Sequence, residues 1–175
     1  MRRLLITLLC GLVVAPAALA ASRATGDGVL ELRAVNGTVM LGTLAQPAQG
    51  TAWGQMDKGT LRVTDPIVGD GTVFVSGWEN KRVVPATDTT PRLVVYSGHD
   101  LHFRVTGGKY KLFFVGSGID ATAIGVGAVY LAGDPSADDA GDYALNGGKW
   151  IPMPVSIPLQ FLRVPFGDQT LIQGP

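Results

Sequence analysis

The chain has 175 residues, with 14 basic side chains, 14 acidic side chains and no net charge. This balance excludes the basic excess of a nucleic-acid or anionic-surface binder, and the length suits one domain with a sizeable core. A lone cysteine, Cys10, excludes an intrachain disulfide.

Met1-Arg2-Arg3 precedes an apolar stretch over residues 4–14, interrupted by Thr7, and then Ala18-Leu19-Ala20. A charged start, an apolar middle and a small-residue cleavage site form a secretory signal peptide over 1–20. The apolar part is shorter than the ~20 residues a membrane span needs. The expectation is a mature protein beginning near Ala21 and secreted or associated with the cell envelope. Arg2-Arg3 also suits twin-arginine export, with the ordinary route the plainer reading. Without those two arginines, 12 basic face 14 acidic residues, a net charge of −2. Cys10 leaves with the signal peptide, and no later apolar run predicts a transmembrane span.

The 24 glycines are about twice the usual ~7%. They punctuate short apolar segments, as in an all-β protein with tight turns. Residues 21–28 read as a small, polar linker, and an all-β domain is predicted over 29–154. In 29–35, Leu30, Leu32 and Ala34 alternate with Glu31 and Arg33. Asn36-Gly37 is a strong hairpin signal that would pair Val39 with Ala34 and Leu41 with Leu32. Further strands are expected over 51–56, 59–64, 72–76 and 92–97.

A second hairpin is expected at Gly107-Gly108, pairing Val105 with Tyr110, Phe103 with Leu112 and Leu101 with Phe114 on one inward face. His102, Arg104, Lys109 and Lys111 then face outward as a basic patch. In this register Arg104 and Lys111 are cross-strand neighbours, a repulsion that an anionic ligand would relieve. Strands over 119–124 and 128–132 follow. A third hairpin is expected around Asn146-Gly147-Gly148, with Tyr143 and Trp150 on one face. Residues 155–175, where Pro158 and Pro165 interrupt apolar residues, read as a Pro-rich extended strap packed on the domain. The expected fold is therefore an antiparallel β-sandwich of hairpins. The alternative is a short β-solenoid, because Gly98, Leu101 and Gly107 recur 18 residues later as Gly116, Ile119 and Gly125.

Chemistry-bearing residues are sparse. His99 and His102, three apart on a strand, point to opposite faces and make a poor metal pair. Asp134, Asp138, Asp139 and Asp142 miss the EF-hand pattern and read as a solvated acidic loop, with a Ca²⁺ site left open. No Gly-x-Ser-x-Gly elbow is present, and nothing marks a pair of glycosidase carboxylates. No catalytic residue, metal ligand or cofactor is assigned. Trp78, in polar and Gly-rich surroundings, is the candidate exposed aromatic, with core packing the default for Trp53 and Trp150.

Three runs carry a family likeness: residues 116–120 (GSGID), 125–133 (GVGAVYLAG) and 142–150 (DYALNGGKW). Together they resemble a group of small, uncharacterised secreted β-rich proteins of high-GC Gram-positive bacteria, over roughly residues 93–154. The resemblance implies an envelope or extracellular setting and carries no activity. The expected function is an exported non-catalytic domain that binds or scaffolds a cell-wall polymer or envelope protein, through Trp78, His102, Arg104, Lys109 and Lys111. The alternatives are an extracellular hydrolase with an Asp-based site assembled in the fold, and a subunit of a self-assembling surface structure.

Overall fold

The computed structural model describes residues 24–67 and 69–171, and the expected signal peptide lies outside them. Eight strands form one antiparallel sheet: β1 (Gly28–Leu41), β2 (Ala48–Asp65), β3 (Thr72–Val84), β4 (Arg92–Thr106), β5 (Lys109–Gly133), β6 (Gly141–Leu145), β7 (Ile151–Pro152) and β8 (Leu162–Phe166). A 3-10 turn, Gln169–Leu171, follows. The sheet order is β3-β4-β2-β5-β1-β6-β7, with β8 on β5, and the path does not close into a barrel. The all-β, antiparallel class is as expected. The hydrogen bonding is that of an antiparallel sheet, so the solenoid alternative falls.

The layers come from one sheet bent over itself. A row of glycines crosses it: Gly98 opposite Gly59, Gly59 opposite Gly116, Gly116 opposite Gly37, and Gly37 opposite Gly133. The inward residues change parity along this row. In β2 they are Ala48, Ala52 and Met56 before it and Leu61 and Val63 after it; in β5 they are Tyr110, Leu112 and Phe114, then Ile119, Ala121 and Ala123. The β2–β4 register runs across the row without an inserted residue, from Ala52 opposite Val105 to Asp65 opposite Arg92. Gly59 and Gly116 have φ of 149° and 155°, extended but positive, a region open essentially to glycine alone. A residue there turns the strand over, so inward side chains change parity while the ladder continues. The backbones also approach closely: a Cβ on Gly116 would lie 2.8 Å from Gly59 Cα.

The bend divides the sheet into two arms whose inner faces meet. Phe103 from the first arm and Phe114 from the second have ring centroids 4.9 Å apart at 50°, a tilted aromatic pair within one continuous core. Coiling is severe. Tyr110 is opposite Ala48 at the start of β2, whereas Lys111 is opposite Thr64 near its end.

Two of the three expected hairpins do not form. At Asn36-Gly37, β1 runs straight on, because both of its edges are taken: Gly37 lies between Gly116 and Gly133. At Gly107-Gly108 the tight turn exists, with φ of 72° and 73°, and the Asp70 carboxylate accepts from Lys109 N at 2.8 Å. Its flanking strands do not pair, because Val105 is already opposite Ala52 on one side and Val73 on the other. The expected inward and outward faces nevertheless stand: Leu101, Phe103, Val105, Tyr110, Leu112 and Phe114 are all buried. The third hairpin forms, but with Tyr143 opposite Ile151. Tyr143 is buried, and Trp150 is instead exposed, with Arg33 over its ring, 4.5 Å from guanidinium carbon to ring centroid.

The two ends of the described residues meet. Within the expected linker, Gly26 O accepts from Asp168 N at 2.7 Å. Of the expected strap, β8 pairs with β5 and buries Val164 and Phe166, whereas Val155, Ile157, Leu159 and Phe161 are exposed.

Candidate functional site

The outer face of the first arm is built by alternation. In β2 the inward Ala52 and Met56 turn Trp53 and Gln55 outward; in β4 the inward Leu101, Phe103 and Val105 turn His102 and Arg104 outward; in β3 the buried Val75 leaves Phe74 outward. The registers then set these side chains in rows. Phe74 is opposite Arg104, Arg104 opposite Trp53, and Trp53 opposite Thr122. In the adjoining row Ser76 is opposite His102, His102 opposite Gln55, and Gln55 opposite Asp120. Phe74 and Trp53 are thus two strand spacings apart, about 10 Å, with the Arg104 guanidinium between them. Phe74 is 62% and Trp53 38% exposed. They flank a shallow groove of about 490 Å³ that also takes in His102, Gln55 and Asp120.

This arrangement can stack flat apolar faces on two rings and present a guanidinium, an imidazole and an amide between them. The groove's lining holds one carboxylate, Asp120, two strand spacings from His102. The paired carboxylates of a glycosidase are not among those lining residues.

The expected patch is dispersed. His102 and Arg104 lie in this groove. Lys111 is not beside Arg104; it is opposite Thr64, across the glycine row, and lines a groove on the second arm. Lys109 opens β5 just after the Gly107-Gly108 turn, opposite Gln49. The cause is the missing β4–β5 pairing: the two strands flank β2 instead.

Trp78 is 43% exposed, past a glycine bulge in edge strand β3. Its ring leans on Tyr96 at 6.4 Å between centroids, with Lys81 Nζ 5.7 Å from its centroid. It is exposed as expected but shares no groove with Arg104. Trp53 is exposed, contrary to its default core assignment. Its alternation with Ala52 and Met56, and that of Phe74 with Val73 and Val75, is the sequence signal that marks both as outward.

His99 is exposed, with Nδ1 2.7 Å from Glu79 Oε1. Among the described residues no three His, Cys, Asp or Glu side chains come together to hold a metal ion. Asp134 organises its loop: its carboxylate accepts from Ser136 N and Oγ at 2.9 and 2.7 Å and from Asn36 Nδ2 at 2.9 Å. The Ser136 bonds hold its pKa below the usual carboxylate value. This loop interrupts what is otherwise one strand along β1, from Gly133 opposite Gly37 to Gly141 opposite Ala34.

No protein-family model, curated protein or solved structure matches the chain. Among the described residues, no helix is long and apolar enough to cross a membrane.

Proposed function

We propose that the protein is an exported, non-catalytic domain that binds a component of the cell envelope, with a cell-wall polymer as ligand. Export rests on the charged, apolar and small-residue order of residues 1–20. The observation that carries the binding surface is the cross-strand row Phe74–Arg104–Trp53. Two large rings left on solvent, flanking a charged side chain, suit a ligand with repeated flat faces and polar substituents between them. His102 and Gln55, from the adjoining row, supply further hydrogen-bonding groups. Lys109, Lys111 and Trp78 lie apart from this row and have no part in it.

The test is co-sedimentation of the purified protein with isolated cell-wall material. Trp53→Ala and Arg104→Glu are each expected to reduce the bound fraction at least about fivefold, the order of losing one exposed contact of about 1 kcal/mol or more. Trp78→Ala is expected to bind as wild type. Retention of full binding by both Trp53→Ala and Arg104→Glu would remove the surface from the account. A loss confined to Trp78→Ala would move it to the β3 edge.

A further inference from the structure

We infer that the outer face of the second arm is a binding site for a fatty acid. Beyond the glycine row, Lys111, Thr64, Leu93 and Val84 stand in one cross-strand row, and Met40, Phe113 and Arg62 in the next. The loops after β1 and β3 wall this face with Leu44, Thr90 and Pro91, leaving a groove of about 430 Å³. That volume lies within the ~300–1,000 Å³ of small-molecule sites. Its floor and walls are mostly apolar, and no acidic residue lines it.

The charges say what end of a ligand it takes. Arg62 is opposite Phe113 and Lys111 opposite Thr64, so the two cations are diagonal neighbours, about 7–8 Å apart at the backbone. Neither has an ion-pair partner among the described residues. Arg62 lies over the Phe113 ring at 5.4 Å. Asp65 and Asp88 line an adjoining notch with Arg92 instead. Two like charges held side by side, without an ion-pair partner, within an apolar trough are complementary to one anionic head carrying an alkyl chain. Arg62 can take a carboxylate through two parallel N–H donors, and Lys111 adds a point charge. Thr64, largely buried, lies between Lys111 and Leu93 and adds a hydroxyl. From this head the alkyl chain runs across Leu93 and Val84, beside the Leu44 and Pro91 walls, with Met40 on the far side of the two cations. This site shares no residue with the Phe74–Arg104–Trp53 row and does not depend on the wall-binding reading.

Titration calorimetry of the full chain with dodecanoate, kept below its micelle concentration, tests it. One dodecanoate is expected to bind per chain. Dodecyltrimethylammonium, with the same alkyl chain and the opposite head, is expected to bind at least tenfold more weakly, and acetate is expected not to compete. The double variant Arg62→Glu/Lys111→Glu is expected to lose at least tenfold in dodecanoate affinity. Leu44→Asp, at an exposed position in the loop after β1, is expected to fold as wild type and to show the same tenfold loss should the double variant fail to fold. Equal affinity for the two amphiphiles, dodecanoate binding unchanged in these variants, or no dodecanoate binding at millimolar protein and ligand would each overturn the inference.

Discussion

On one side of the glycine row the outer face of the sheet carries Phe74, Arg104 and Trp53 on open ground. On the other it carries Met40, Phe113, Leu93 and Val84 in a trough walled by loops. The same strands β1 to β5 cross both arms, and both bury alternate side chains into one core. The fold constrains only the inward half of each strand; the outward half is free to diverge, and here it diverges into two chemistries. Because the parity changes at Gly59, Gly98 and Gly116, the outward residues of β2, β4 and β5 switch between odd and even numbers from one arm to the other. In β4, His102 and Arg104 face out before the turn at Gly107, and Leu93 and Val95 do so beyond Gly98.

The largest expected effect is on the bend itself. In Gly116→Val the new Cβ meets the Lys58 carbonyl and lies 2.8 Å from Gly59 Cα, at a φ of 155°. Urea denaturation is expected to show a loss of more than about 3 kcal/mol, or no folded protein. Gly147, with φ of 68° and open space around it, is the comparison: Gly147→Ala is expected to cost about 1 kcal/mol. Equal costs would mean that the row does not define the two arms.

Next comes the contact between the arms. Phe114 is fully buried against Phe103, and Phe114→Ala is expected to cost about 3–5 kcal/mol in the same assay. A cost below about 1 kcal/mol would show that the inner faces do not meet as described.

A smaller effect of opposite sign is expected at Tyr110, whose hydroxyl is buried without a hydrogen-bond partner among the described residues. Tyr110→Phe removes an unpaired polar group and is expected to stabilise by about 1 kcal/mol at neutral pH. Burial raises the phenol's pKa above its ordinary 10.0. The folded state therefore holds the proton more tightly than the unfolded state. This contribution is complete below pH 10 and is lost as pH rises past it toward the folded-state value. The melting temperature of the wild type is expected to fall more steeply above pH 10 than that of Tyr110→Phe. Parallel curves would place the hydroxyl in contact with solvent or a partner.

The smallest effects on stability belong to the outward residues. Trp53→Ala and Phe74→Ala, both at exposed positions, are expected to change stability by no more than about 0.5 kcal/mol. A larger loss at Trp53 would make it a packing residue and not part of a free surface.

Much of this was legible in the residues themselves. Period-two alternation placed Leu101, Phe103, Val105, Tyr110, Leu112 and Phe114 inward and His102 and Arg104 outward, because facing depends on local geometry alone. Pairing does not. Asn36-Gly37 has the chemistry of a tight turn, yet ladders on both edges of β1 hold it extended. Gly107-Gly108 turns, yet the strands it joins go to opposite sides of β2. Each outcome is decided by strands far away in the chain, so the neighbours of Arg104 are Trp53 and Phe74 and not Lys111. The recurrence of Gly98 as Gly116 records not a solenoid but two positions in one bend row, both opposite Gly59.

The most direct test sets Arg104→Glu beside Lys111→Glu, one charge reversal on each arm, in co-sedimentation with isolated cell-wall material. The account predicts that Arg104→Glu loses binding at least about fivefold while Lys111→Glu sediments as wild type. Equal losses in the two variants would mean that binding follows overall charge, and would contradict a wall-binding surface confined to the first arm.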